Sequence, residues 1–148
     1  MELSSADIEI MIRLGAAAIL GGVIGIEREL HGKVAGFRTH SLVALGSALI
    51  MLVSIHLFEV YGNKTGVDPG RIAAQVVTGI GFIGAGTIIR EGAGIKGLTT
   101  AAGLWTASGI GLAAGVGYFH AAVIAAAITL CVLVIFSWFG RKIGARDV

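Results

Sequence analysis

Apolar residues fall into five long stretches along the chain, each ended by charged residues or by glycine. These stretches cover residues 8–26, 41–58, 72–89, 98–114 and 119–139. Each is close to the length of about 20 residues that a helix needs to cross about 30 Å of hydrocarbon. Because only a helix satisfies its own backbone hydrogen bonds in lipid, the pattern predicts an all-α membrane protein with about five transmembrane helices.

The composition agrees with this prediction. The chain has 148 residues, of which 55% are hydrophobic and 14% charged, whereas a soluble domain has about 25% charged residues. Five spans leave little of the chain for a separate soluble domain, so we expect a single membrane domain over residues 1–148. One cysteine excludes both an intramolecular disulfide and a zinc cluster of cysteines. The net charge of +2 comes from scattered residues, which argues against nucleic acid as a partner.

Basic residues are unevenly distributed between the two sides of this layout. Eight of the 11 lysines and arginines lie in the connections 27–40 and 90–97 and in the tail after residue 139, and three lie on the opposite side. Cytoplasmic connections are enriched in these residues. The distribution therefore predicts a cytoplasmic C-terminus and an N-terminus on the outside of the membrane.

An internal repeat is visible at an offset of 61 residues. This offset aligns Gly36 with Gly97 and Thr39 with Thr100, and a few further identities have the same shift. Two explanations remain open for so few identities. They arise by chance, or the first two helices duplicate helices three and four, with the fifth helix as an addition.

Polar residues near the outer ends of the first and third stretches form one candidate site. Asp68 is suited to cap the start of the third helix, and Arg71 and Gln75 lie further along one face of it. Glu9 precedes Arg13 by four residues, which is the spacing of a helical ion pair. Two interpretations are open. The arginines extend to the lipid–water interface, or Arg13, Asp68, Arg71 and Gln75 form a buried polar cluster in the outer half of the bundle.

Glycines recur at helical spacing inside the apolar stretches. The pattern G-x-x-x-G occurs at 21–25 and 111–115, and a denser run covers 79–86. This run matches the dinucleotide-binding fingerprint only formally, because the fingerprint requires a preceding strand and a later acidic residue in a soluble unit. Small residues let helix backbones approach closely. We therefore expect helix packing, within the chain or across a homodimer, at Gly21, Gly25, Gly79, Gly81, Gly84, Gly86, Gly111 and Gly115.

The predicted cytoplasmic side holds a second candidate site. Charged and hydroxyl residues concentrate there, and they form either a solvated surface or a docking surface for a partner or for lipid headgroups. The sequence contains no Ser-His-Asp spacing, no H-E-x-x-H and no paired cysteines, so we expect no catalytic residue, no metal site, no cofactor and no enzyme activity. The residues of this cytoplasmic cluster are Glu27, Arg28, Arg38, Thr39, His40, Arg90, Thr99 and Thr100.

Two segments of the chain resemble a known family. They are GIERELHGKVAGFRTHSLVALGSAL at 25–49 and DPGRIAAQVVTGIGFIGAGTIIREGAGIKGLTTAAGLWTASGIGLAAGVG at 68–117. Together they cover about half of the chain and are similar to the hydrophobic N-terminal membrane domain of the MgtC/SapB family. Some members of that family also carry a soluble C-terminal ACT-like domain, which we do not expect in this chain.

The resemblance implies a bacterial inner-membrane protein that regulates membrane ion transport or energetics in connection with magnesium homeostasis. The partners we expect are the lipid bilayer, further copies of the chain in a homodimer or small homo-oligomer, and another membrane protein such as a transport ATPase or the ATP synthase. The alternative is a small magnesium, ion or solute permease with a polar vestibule in the outer half of the bundle.

Overall fold

The computed structural model describes residues 4–65, 68–92 and 94–142, and most of these residues are helical. The main helices are α1 (Ser5–Leu30), α2 (Phe37–Thr65), α3 (Pro69–Gly86), α4 (Leu98–Gly115) and α5 (Phe119–Cys131). A π-helical turn at Val132–Phe136 continues α5 into α6 (Ser137–Lys142). Two short antiparallel strands, β1 (Ile89–Glu91) and β2 (Gly94–Lys96), form a hairpin between α3 and α4.

The mostly helical fold predicted from the apolar stretches is confirmed. Within the described ranges, three helical segments are long and apolar enough to cross a membrane: Ser5–Leu30, Phe37–Gly62 and Phe119–Phe139. Helices α3 and α4 have 18 residues each. Polar side chains lower the hydropathy of both, including Arg71 and Gln75 on α3. The count of five membrane spans and the internal repeat stay predictions.

Helix α3 ends three residues before the end of the apolar stretch 72–89. The chain turns at Thr87, whose hydroxyl donates to the Gly84 carbonyl at 2.8 Å, and enters β1 at Ile89. On the other side of the hairpin, Gly97 has a φ of +92°, and a Cβ there would overlap the Thr87 carbonyl. Only glycine fits this position. Hydropathy alone could not place this boundary, because short apolar runs suit both helices and strands.

Carboxylates cap the N-termini of α3 and α2. The Asp68 carboxylate accepts a hydrogen bond from the Gly70 N–H at 2.8 Å, and Pro69 is the first residue of α3, so the predicted N-cap is confirmed. Helix α2 is capped from its neighbour, because Glu29 of α1 accepts a hydrogen bond from the Phe37 N–H at 2.8 Å. A carboxylate is favourable there because the helix dipole is positive at the N-terminus.

Helices α1, α2 and α4 pack against one another around small residues. Ala17, Ala44 and Ala114, one from each helix, are all 0% exposed and belong to one core cluster. Small side chains at a contact allow helix backbones to approach closely. Helix α3 packs against α2 and α4, and α5 packs against α1 and α4. The three central helices therefore position the buried polar residues of the bundle.

Candidate functional site

A buried ion pair lies at the C-terminal end of α1. Arg28 is 2% exposed and Glu27 8% exposed. The Arg28 guanidinium donates to the Glu27 carboxylate through Nε and, at 2.7 Å, through Nη2. His31 Nδ1 lies 3.1 Å from the same carboxylate. Because water does not solvate these charges, each depends on the other for compensation.

His40 is fully buried at the same end of the bundle. Its Nδ1 lies 3.0 Å from the Gly36 carbonyl oxygen, and its Nε2 has no hydrogen-bond partner in the described part of the chain. A Cβ on Gly103 of α4 would lie 3.4 Å from this Nε2. The Glu27–Arg28 pair lies within electrostatic range of the ring. His40 therefore lies where α1, α2 and α4 meet.

The remaining residues of the cytoplasmic cluster are distributed between core and surface. Thr100 is buried, whereas Arg38, Arg90 and Thr99 are exposed. Arg90 lies on β1, where its Nε donates to the Gly92 carbonyl at 3.3 Å. The structure therefore divides the predicted cluster into buried and exposed residues. Its functional role stays a prediction.

A groove of about 820 Å³ lies between α2 and α3. Arg38 and Thr39 line one end of it, and Gln75 lies further along. The sequence pattern predicts Gln75 in the outer cluster and the other two residues in the cytoplasmic cluster. The packing of α2 against α3 brings all three residues into the lining of the same groove.

Arg13 links α1 to the end of α4. Its Nη1 donates to the Gly115 carbonyl at 2.9 Å, and its Nη2 pairs with Glu9, as their spacing predicts. The Gly115 carbonyl is one of the last in α4 and has no partner within its own helix. Gly117, with a φ of +85°, lies beside the guanidinium in the turn that leads to α5.

The other residues of the predicted outer cluster lie on α3. Asp68 and Arg71 are exposed, and the Asp68 carboxylate caps its own helix. Gln75 lines the α2–α3 groove. The hydrogen bonds of Arg13 connect it to α1 and α4 instead. A pocket shared by all four residues stays a prediction.

A second cavity, of about 490 Å³, opens between the N-terminal half of α1 and the C-terminal half of α2. Glu9, Arg13, His56 and Glu59 line it together with apolar side chains. The sequence pattern does not predict His56 and Glu59 beside Arg13, because only the packing of α1 on α2 brings them together. Among the residues that the structure describes, no three His, Cys, Asp or Glu side chains are grouped to hold a metal ion.

The glycines expected at helix contacts fall into two sets. A Cβ at Gly21, Gly25, Gly111 or Gly115 would come closer than 3.0 Å to a neighbouring segment. A Cβ at Gly84 would make ordinary contact with Ala101, at 3.6 Å. A Cβ at Gly79, Gly81 or Gly86 would have no described neighbour within 4 Å. Packing of this open face of α3 across a homodimer stays a prediction.

Replacing Arg13 with glutamine is expected to lower the free energy of unfolding by about 2 kcal/mol, because a charge-assisted hydrogen bond to a part-buried carbonyl is lost. The measurement is denaturant unfolding of the purified chain in detergent micelles. Arg71→Gln is the matched control, since Arg71 is exposed, and it is expected to change the same quantity by less than about 0.5 kcal/mol. Equal losses in the two variants would contradict the role given to Arg13.

Comparison with known proteins reveals related sequences. The sequence profile of the MgtC family matches residues 14–142. "Putative magnesium transporter YhiD" of Escherichia coli is 50% identical over 130 residues, which are 86% of this chain and 60% of that protein. "Protein MgtC" of Salmonella typhimurium is 45% identical over 138 residues, or 93% of this chain and 57% of that protein. The chain therefore spans less than two thirds of the length of these relatives. No solved structure matches it.

Proposed function

Because this chain belongs to the MgtC family, we propose that it is a non-enzymatic regulator of membrane ion transport or energetics linked to magnesium homeostasis. The family and the three apolar helices identify a membrane protein. The name of the Escherichia coli relative connects that protein with magnesium transport, which supports the link to magnesium proposed here.

The close packing of α1, α2 and α4 carries this proposal. A Cβ at Gly21 would lie 2.5 Å from the His40 carbonyl oxygen, and a Cβ at Gly115 would lie 2.7 Å from that of Ala48. A conduction pathway needs a hydrated passage lined by polar groups or by backbone carbonyls. The centre of this bundle is instead closely packed: Ala17, Ala44 and Ala114 belong to one buried cluster, and His40 is buried where the same three helices meet. A bundle of this kind is suited to bind other membrane proteins through its outer faces.

The proposed setting is the bacterial inner membrane, crossed by five spans, with the N-terminus outside and the C-terminus in the cytoplasm. The excess of lysine and arginine on one side of the predicted layout supports this orientation. It places the Glu27–Arg28 pair and Arg38 near the cytoplasm, and Arg13 near the outer surface. The proposed partner is a transport ATPase or the ATP synthase.

A homodimer or small homo-oligomer is part of the same proposal. Phe82 on α3 is 86% exposed, and a Cβ at Gly81 or Gly86 of this helix would meet nothing described within 4 Å. A large exposed apolar side chain next to small residues is suited to pack against the small residues of a second helix. The part of α3 that carries Gly81, Phe82 and Gly86 is therefore the proposed contact between copies.

A permease is the second candidate, and the cavity between α1 and α2 favours it. Glu9, Arg13, His56 and Glu59 line this cavity, at the end of the bundle where the sequence predicts a polar vestibule. Magnesium binds to carboxylate oxygens and retains several of its waters. Glu59 offers such oxygens, whereas Glu9 is paired with Arg13.

Two measurements distinguish the regulator from the permease. In proteoliposomes that contain the purified chain and an internal magnesium-sensitive dye, the regulator is expected to give no more flux than empty liposomes. In magnesium-limited cells, crosslinking and then purification are expected to recover a transport protein in stoichiometric amount. Flux that Glu59→Gln abolishes, while the exposed control Glu91→Gln retains it, would establish the permease and contradict the regulator.

A further inference from the structure

The groove between α2 and α3 is concave because small residues line both of its walls. Gly46 on α2 and Gly79 on α3 belong to this lining, and a Cβ added at either would have no described atom within 4 Å. The groove has a volume of about 820 Å³, which is in the range of sites for organic ligands. Leucine, isoleucine and valine form most of the remaining wall. The part of a ligand that lies against this wall is therefore apolar.

The length of the groove matches one leaflet of a bilayer. Its lining runs from Arg38 to Ile50 on α2 and from Ile72 to Ile83 on α3, which corresponds to about 18 Å at about 1.5 Å per residue. One leaflet contributes about 15 Å, half of the hydrocarbon thickness of about 30 Å. A helix of a partner protein crosses both leaflets and would extend well beyond the groove. An acyl chain from the leaflet on the Arg38 side fits it.

The polar end of the groove carries an arginine, Arg38. Arg38 is exposed, and within the described ranges its guanidinium has no ion pair or hydrogen bond. The nearest carboxylate in sequence, that of Glu29, is bound to the Phe37 N–H. Thr39 adds a hydroxyl to the same end of the lining. Arginine binds phosphate with two parallel hydrogen bonds, and basic pockets between membrane helices bind anionic headgroups.

We propose that the α2–α3 groove binds an anionic phospholipid. Its phosphate lies at Arg38 and Thr39, and one acyl chain lies between Gly46 and Gly79. The bound lipid fills the space between the two helices and holds α3 against the central bundle. The site is independent of whether the chain regulates or transports, because it rests on the groove alone.

Native mass spectrometry of the purified full chain tests the headgroup contact. The probes are phosphatidylglycerol and phosphatidylcholine with identical acyl chains. The wild type is expected to bind one phosphatidylglycerol in preference to phosphatidylcholine. Arg38→Gln is expected to weaken phosphatidylglycerol binding roughly fivefold, the factor for one basic side chain, and to weaken phosphatidylcholine binding less, because the choline cation offsets the charge of its phosphate. The control Arg90→Gln, which changes an exposed arginine outside the groove lining, is expected to keep the preference.

A second pair of variants tests the acyl-chain contact. Gly79→Leu fills the groove and is expected to weaken the binding of both lipids. The control Gly81→Leu makes the same change two residues further on, also in open space but outside the lining, and is expected to bind as the wild type does. Circular dichroism checks that both variants are helical.

Three results would overturn the proposal. The first is equal binding of the two lipids by the wild type, and the second is an unchanged preference in Arg38→Gln. The third is a Gly79→Leu chain that no longer forms a dimer but binds lipid as the wild type does, because the groove would then be a contact between two chains.

Discussion

Replacing Arg28 with methionine is expected to lower the free energy of unfolding by about 3 kcal/mol, because it leaves a buried charge uncompensated. Methionine retains an apolar side chain of similar length, so the loss is mainly electrostatic. The carboxylate of Glu27, whose side chain is 10% exposed, is left without its guanidinium. Removing one partner of a buried ion pair costs about 3–5 kcal/mol. The value expected here is at the low end because His31 Nδ1 lies 3.1 Å from the same carboxylate.

Denaturant unfolding in detergent micelles measures this loss, and two further variants test whether the buried, uncompensated charge causes it. Lys96→Met removes the cation of an exposed pair, in which Lys96 and Glu91 are 64% and 61% exposed, and is expected to cost less than about 1 kcal/mol. The double variant Glu27→Gln/Arg28→Met is expected to be more stable than Arg28→Met alone, because the uncompensated charge is gone. Similar losses of unfolding free energy in Arg28→Met and Lys96→Met would show that burial of the ion pair does not determine its contribution to stability.

Replacing Gly111 with leucine is expected to lower the free energy of unfolding by about 3 kcal/mol, because the contact between α2 and α4 has no room for a side chain. A Cβ at this position would overlap the Ala44 carbonyl oxygen and lie 2.9 Å from the Ala44 Cα. Backbone atoms cannot rotate away as the end of a side chain can, so α2 and α4 must separate. Overpacking of a well-packed core costs about 1–3 kcal/mol, and a helix displacement that also disturbs Ala114 at 0% exposure places the cost at the upper end.

The matched control is Gly109→Leu on the same helix. Gly109 is exposed, and a Cβ there would meet no described atom within 4 Å. Leucine is a better helix former than glycine by roughly 0.5–1 kcal/mol, so this variant is expected to be at least as stable as the wild type. Thermal unfolding in detergent compares the two variants with the wild type. A Gly111→Leu chain as stable as Gly109→Leu would mean that α2 and α4 are not in close contact.

Local sequence signals predicted several features of the fold and the site. The apolar stretches predicted helices where they are found, and Asp68 before Pro69 predicted the start of α3. The four-residue spacing of Glu9 and Arg13 predicted their ion pair. Each of these interactions joins residues within one helical turn, so helix geometry alone brings the groups together.

The same signals did not predict where α3 ends or that a hairpin connects it to α4. Ile88 and Ile89 continue the apolar pattern of the third stretch, but the chain turns at Thr87 and enters β1. The close contact between Gly97 and the Thr87 carbonyl decides this boundary. It joins residues on opposite sides of the hairpin, which hydropathy does not relate to one another.

The chain's own order of residues thus determined the membrane class, the helices, the Asp68 cap of α3 and the Glu9–Arg13 ion pair, because all of these depend on composition or on neighbours one turn away. Only the tertiary structure decided which polar groups share an environment. It placed Gln75 with Arg38 in one groove, joined Arg13 to Gly115 and buried His40 where α1, α2 and α4 meet. The reason is physical: such contacts depend on which helix faces pack together, and that choice depends on the fit of small residues across distant segments.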